Sequence, residues 1–223
     1  MTRSSKVPSA STAPPARKRA PSERALATKA RILDAAETVF ARKGFDGSTI
    51  RDIAASSGEP ISLIHHHGGG KEALFRQVIA RRAADLAHLR LAALSAAKQG
   101  QTPTLEGILD AFFEPFLTLA NKDEQWRSYA RLVAHVSADE RWRDLTELHF
   151  DPTAKAFIAE ICAAAPEQRH DTIAAGFVFS VSAMLSVLSA RWRIDALGKG
   201  REGDGGELTR LTTFCAAGIR NMR

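Results

Sequence analysis

The chain is predicted to be all-α: a three-helix N-terminal helix-turn-helix domain followed by a larger helical domain. Two observations predict this. No stretch shows the period-two alternation of a half-buried strand, whereas apolar residues recur at three- and four-residue spacing from about residue 24 almost to the end. The stretch 48–71, STIRDIAASSGEPISLIHHHGGGK, also reads as two short helices joined by a tight glycine turn.

At 223 residues, 44% of them hydrophobic, the chain is long enough for one or two domains with a sizeable core. No run of eighteen consecutive apolar residues occurs and the N-terminus lacks an apolar signal core, so no membrane span and a cytoplasmic location are expected. Cys162 and Cys215 lie far apart in helical patterns, as reduced core residues do. The net charge of +6 is unevenly placed. Residues 1–31 hold eight basic groups (Arg3, Lys6, Arg17, Lys18, Arg19, Arg24, Lys29, Arg31) against Glu23 alone, whereas the other 192 residues carry 23 basic and 24 acidic groups. A basic arm beside a helix-turn-helix is the electrostatic footprint of a nucleic-acid binder.

Residues 1–22 are rich in Ser, Pro and Ala, with Pro8, Pro14, Pro15 and Pro21 against any helix, and are predicted to form a disordered basic arm. The helix-turn-helix domain is expected over 23–70. Its first helix, about 24–43, carries Leu26, Ile32, Leu33, Ala36, Val39 and Phe40 on its inner stripe and stops at Gly44. Thr49 is an N-cap with Asp52 in a capping-box position, and Ile50, Ile53 and Ala54 face inward. Gly58 stands where the chain needs a left-handed residue. Ile61 and Ile64 give the next helix an inner edge, leaving Ser62, His65 and His66 on other faces, so this helix could enter a DNA major groove. The run His65-His66-His67 is no metal site, because successive helical side chains diverge by about 100°.

The residues Ile32-Leu33-Asp34-Ala35-Ala36, Phe40, Lys43-Gly44-Phe45, Thr49, Arg51-Asp52-Ile53-Ala54, Gly58 and Lys71-Glu72-Ala73-Leu74-Phe75 carry a resemblance. Over roughly 28–75 the chain resembles the DNA-binding domain of the TetR family of transcriptional repressors. The resemblance implies a third helix that reads DNA, followed by a larger ligand-binding and dimerisation domain. It also implies that Thr49 and Lys71 hold phosphates, that Pro60, Ile61, Ser62, His65 and His66 face the groove, and that Arg51 with Arg17, Arg19 and Arg24 reaches phosphates or the minor groove. His65 stands where the family usually has an aromatic residue. Two positions depart from the pattern: Glu59 replaces a packed Val, and Gly68 replaces an anchoring Phe. With packing unchanged, each loss would amount to several kcal/mol. A cap by Glu59 on the recognition helix and a loose link at Gly68-Gly69-Gly70 are therefore expected, with this domain less stable or more mobile than its relatives.

The second domain, 71–223, is predicted to open with one long helix over 71–97, its apolar face formed by Leu74, Phe75, Val78, Ile79, Leu86, Leu89 and Leu94. A helix capped by Thr104 follows, kinked or broken at Pro115. Helices at 124–136 and about 138–163 come next, the latter bent near Asp151-Pro152 and including Leu148. Aromatics interleaved with Arg and His suggest an effector cavity built from Phe112, Phe113, Phe116, Trp126, Tyr129, Arg127, Arg131, His135, Trp142 and His149. The segments FFEPFL, RLVAHVS and HFDPTAKAFIAEI share a looser similarity with a TetR branch that responds to fatty-acid-like hydrophobic acids. The last helices, about 167–195 and 206–221, mix small and large apolar residues. Together with the resemblance this implies a homodimer through Phe177, Val181, Met184, Leu185, Leu188, Leu211 and Phe214.

No catalytic constellation, cofactor motif or metal site occurs, so an enzyme is not expected. The expected function is a dimeric repressor that binds an inverted-repeat operator in double-stranded DNA and is released by a small hydrophobic effector, which the looser similarity implies to be acidic and fatty-acid-like. The alternative is an all-helical dimeric interaction protein whose helix-turn-helix no longer binds DNA.

Overall fold

A computed structural model describes residues 22–100, 102–198 and 206–222. The arm, including Arg17 and Arg19, and most of the loop near residue 200 lie outside the described residues. Those described form helices only: α1 (Glu23–Lys43), α2 (Ile50–Ser57), α3 (Ile61–Gly68), α4 (Lys71–Ala97), α5 (Leu105–Lys122), α6 (Glu124–Ala138), a 3-10 turn at Glu140–Trp142, α7 (Arg143–His149), α8 (Asp151–Ala164), α9 (His170–Leu197) and α10 (Glu207–Asn221).

Local chemistry explains the borders of α1. The Ser22 hydroxyl accepts the Ala25 N–H at 3.3 Å, Glu23 sits in the first turn, and Arg42 and Lys43 in the last, matching the helix dipole. The inner stripe of Ile32, Leu33, Ala36, Val39 and Phe40 is buried as expected. Leu26 is not part of it. It is 54% exposed, because the buried stretch of α1 begins two residues later, at Thr28. Leu89 and Leu148 likewise point outward from α4 and α7.

α4 belongs to both parts of the molecule. Leu74, Phe75, Val78 and Ile79 bury its first half near α1 and α3, while Leu86 and Leu94 bury its second half in the larger bundle. The Tyr129 hydroxyl donates to the Ile79 carbonyl at 3.0 Å and ties α6 to α4. α5 runs through Pro115 without a break. The lost N–H and ring clash cost a helix about 3 kcal/mol, but Phe112, Phe113, Phe116 and Leu117 on either side are all buried, and that packing outweighs it. The single bent helix expected over 138–163 is instead a 3-10 turn and two helices, with Pro152 in the first turn of α8, where its missing N–H has no helical partner to lose.

Two fastenings join the N-terminal helices to the bundle. Glu37 of α1, 1% exposed, accepts from Arg82 Nε at 2.8 Å and from Arg81 at 3.1 Å, and Arg82 continues to Gln125 of α6 at 2.7 Å. Burial raises the Glu37 pKa, with Arg82 opposing the rise. At the end of α1, Phe45 packs edge-on against Phe75 and Trp142, and Arg141 clasps both Asp46 carboxylate oxygens at 3.0 and 2.8 Å.

Candidate DNA-reading surface and ligand cavity

The helix-turn-helix forms as its sequence demands. The Thr49 hydroxyl accepts from Asp52 N–H at 3.1 Å while the Thr49 N–H donates to Asp52 Oδ2 at 2.9 Å, a complete capping box. Gly58, at φ +69°, takes the left-handed turn. On α3, Ile64 and Gly68 are buried, so the inner edge runs through these two. Ile61, assigned above to that edge, is instead 42% exposed, as the first residue of α3. Pro60, Ile61, Ser62, His65 and His66 are all exposed on α3 and the turn before it, and Thr49, Arg51 and Arg24 are exposed too. Lys71 is half-buried, its ammonium 4.4 Å above the Phe45 ring and 3.4 Å from the Asp46 carbonyl.

The two departures from the family pattern are both accommodated. Glu59 does not cap α3, which has no side-chain cap. Its carboxylate turns to α1 and pairs with Arg31 at 2.5 Å, joining the turn to the first helix. Gly68 leaves no void either. A Cβ there would meet Leu74 Cδ1 at 3.1 Å and Leu74 Cβ at 3.4 Å, so Leu74 already fills the place of an aromatic anchor. The Gly68 carbonyl accepts from Gln77 Nε2 at 3.0 Å, and Gly69 (φ +74°) and Gly70 (φ +106°) make the sharp entry into α4.

In the larger bundle, a cavity of about 330 Å³ lies between α4, α5, α8 and α9, with Thr146 and His149 of α7 also on its wall. Its walls are mainly apolar: Leu86, Phe112, Phe116, Val133, Phe150, Ile158, Phe177, Val181 and Met184. Of the residues expected to line it, Phe112, Phe116 and His149 do. Phe113, Trp126 and Tyr129 are buried core residues. Arg127 and Arg131 bind Glu124 at 2.6 and 3.0 Å on the outside of α6. His135 and Trp142 border a separate cleft beneath the α1–α2 turn. α6 reaches the cavity only with its C-terminal turns, through Val133 and Ser137, so its earlier residues cannot face it.

The residue that the sequence reading missed is Arg90. It is 6% exposed on the cavity wall and its guanidinium lies 3.7 Å from the Phe112 ring centre. Its Nε–H donates to the Phe112 carbonyl at 2.9 Å, and Nη2 is 3.4 Å from Met184 Sδ. Burial pulls its pKa down to about 9. The signal was present in the sequence: Arg90 sits between Leu86 and Leu94 at four-residue steps, on the buried stripe of α4.

The α9–α10 surface also divides differently. Phe177, Met184, Leu185 and Leu211 are buried within the subunit and Val181 and Leu188 partly so, while Phe214 is 72% exposed. The wide apolar surface of α9 therefore has two faces. One packs on the core, and the other presents Phe179, Ser182 and Ser186 outward, while the neighbouring α10 exposes Phe214, Ala217 and Gly218. The hydroxyls of Ser182 and Ser186 donate back to Val178 and Ser182 carbonyls at 3.1 and 3.0 Å, so this face has little polar demand. By length and composition α9 could cross a membrane, although no unbroken apolar run had suggested it, and 33% of its most apolar window is buried in the subunit.

Residues 32–78 match the family model described as "Bacterial regulatory proteins, tetR family", and residues 110–218 match "Tetracyclin repressor-like, C-terminal domain". The chain is 28% identical over 118 residues to the HTH-type transcriptional repressor KstR2 of Rhodococcus jostii (strain RHA1), covering 53% of this chain and 56% of that one. It is 44% identical over 61 residues to the HTH-type transcriptional repressor SCO4008 of Streptomyces coelicolor, covering 27% of this chain and 32% of that one. The chain thus spans about half, or less, of the length of the curated relatives it matches. Among solved structures, a TetR-like transcriptional regulator from Rhodococcus sp. RHA1 aligns with a TM-score of 0.63 at 16% identity, over 90% of this chain and 96% of that one. A regulatory protein in the tetR family from Rhodococcus RHA1 aligns at 0.60 and 22%, over 86% and 96%. These two likenesses show the fold. With the two family models matching its N- and C-terminal parts in order, the chain belongs to the TetR family of regulators.

Proposed function

We propose that the protein is a transcriptional repressor that binds an inverted-repeat operator as a homodimer and is released by a small hydrophobic effector. The observation that carries this reading is the open face of α3, held by the capped α2 and by Leu74 at the start of α4, the same helix that lines the cavity through Leu86 and Arg90. One helix thus bears on both sites. Its curated relatives are named HTH-type transcriptional repressors.

Thr49, Arg51, Arg24 and Lys71 are the phosphate contacts in this reading, with Arg17 and Arg19 added from the arm. Pro60, Ile61, Ser62, His65 and His66 read the groove. A second copy covers Phe179 and Phe214, placing two α3 helices about one helical turn of DNA apart, or a simple multiple of that. Effector and operator then oppose each other by linkage, each weakening the other's binding by the same factor.

A mobility-shift titration against the DNA upstream of its own gene, over a salt series, tests the reading. A specific shift that weakens steeply with salt is expected. No shift at low salt would leave an all-helical dimer that does not bind DNA.

A further inference from the structure

We infer that the cavity takes a free monocarboxylic acid with an apolar tail, its carboxylate held by the guanidinium of Arg90. The inference rests on reading this cavity as the effector site.

Arg90 is almost completely buried, and among the described residues no carboxylate lies within 4 Å of it. A buried guanidinium without a counter-ion is unfavourable unless something offsets its lost hydration. Two of its five N–H donors have protein acceptors, and one of those acceptors is a thioether, a weak one. The bond to the Phe112 carbonyl gives Arg90 a structural use, but one acceptor does not require a five-donor fork. The remaining donors stand on the wall of an apolar space, and their planar fork matches the two oxygens of a carboxylate. With a pKa of about 9 the group stays charged at neutral pH.

The rest of the cavity restricts the ligand further. At roughly 30 Å³ for each water-sized group, 330 Å³ holds about eleven, the size of a medium-chain acid. A nucleotide-bearing thioester of that acid exceeds this volume and would have to leave its nucleotide outside it. The other ionisable groups of the wall, His149, Asp151 and Lys155, all come from the α7–α8 end. Asp151 there disfavours a second carboxylate on the tail, and the half-buried His149 and exposed Lys155 are placed at the border of the space.

The test is calorimetric titration of the full chain at pH 7 with decanoate, 1-decanol and the decanoyl thioester of coenzyme A, repeated on Arg90→Met and Arg90→Lys. Decanoate is expected to bind the native chain at least about tenfold more tightly than the alcohol, the gain of a charge-assisted bond. Arg90→Met should lose that preference while still binding the alcohol, and Arg90→Lys should keep part of it. The comparison of acid with alcohol on the native chain stands even if a variant fails to fold. Equal or tighter binding of the alcohol, tighter binding of the thioester, or a preference for the acid that survives in Arg90→Met would each overturn the inference, with the cavity remaining an effector site. If none of the three compounds binds, the reading of the cavity falls and the inference with it.

Discussion

Gly68→Phe would supply the aromatic anchor that the resemblance implies at this position, and the structure makes it a destabilising change. Gly68 ends α3 in a buried position, and a Cβ there lies 3.1 Å from Leu74 Cδ1. Leu74 is itself 1% exposed, and Gln77 holds the Gly68 carbonyl at 3.0 Å, so neither side can simply retreat. Overpacking of this kind costs about 1–3 kcal/mol. Relief of glycine's poor helix propensity returns less than about 1 kcal/mol, and less still at a helix end. The net expectation is a loss of about 1–2 kcal/mol, which for a chain of this length lowers Tm by roughly 2–8 °C. Thermal unfolding followed by circular dichroism measures it. Leu74→Ala alone should cost about 2–5 kcal/mol, but adding it to Gly68→Phe should cost much less, because the ring then enters the vacated space. A coupling energy of at least about 1 kcal/mol in this double-mutant cycle is expected. A higher Tm for Gly68→Phe alone, or simple additivity, would refute the claim that Leu74 replaces the missing aromatic.

Arg82→Ala leaves Glu37 buried with Arg81 as its remaining partner, and a loss of about 3–5 kcal/mol is expected in urea unfolding, far more than for Arg127→Ala on the exposed side of α6. Arg141 holds the pKa values of Asp46 and Asp139 below their usual value of 3.8 through hydrogen bonds. Their stabilising effect is therefore complete above pH 3.8 and is lost as pH falls through the lower folded-state values. Melting curves between pH 2 and 5 should show Arg141→Gln with a shallower acid dependence than the native chain. If the proposed homodimer forms through the outward face of α9 and α10, Phe214→Asp and Phe179→Asp should give monomers in sedimentation velocity with unchanged helical circular dichroism. Dimers in both variants would place the interface elsewhere.

How much of this was legible in the sequence depended on whether a feature is local. The helices of the N-terminal half follow from caps and spacing within a few residues of each other. Thr49 with Asp52, Gly58, and the stripe from Ile32 to Phe40 all behave as local chemistry requires. The long α4 was equally plain. Pro115 shows where local reasoning stops: a helix-breaking residue stays inside α5 because four apolar neighbours are buried by distant elements. The same holds for α9, where periodicity reveals an apolar surface but not which side meets the core, so Phe177 and Met184 turn inward and Phe179 outward.

The functional residues divide in the same way. The open face of α3 could be read from the spacing of Ile64, because the side opposite a buried residue on a short helix is exposed. The cavity could not. It arises where α4, α5, α8 and α9 fail to close on one another, and which of the many aromatic residues border that space is set by crossing geometry. The sequence alone determined that the chain is helical, that it carries a helix-turn-helix, and where its basic charge lies. Only the tertiary structure decided that Glu59 pairs with Arg31, that Leu74 fills the place of a missing ring, and that Arg90 stands buried on the wall of an apolar space. Each of these depends on a partner 6 to 94 positions away in the chain, distances over which helical periodicity carries no information.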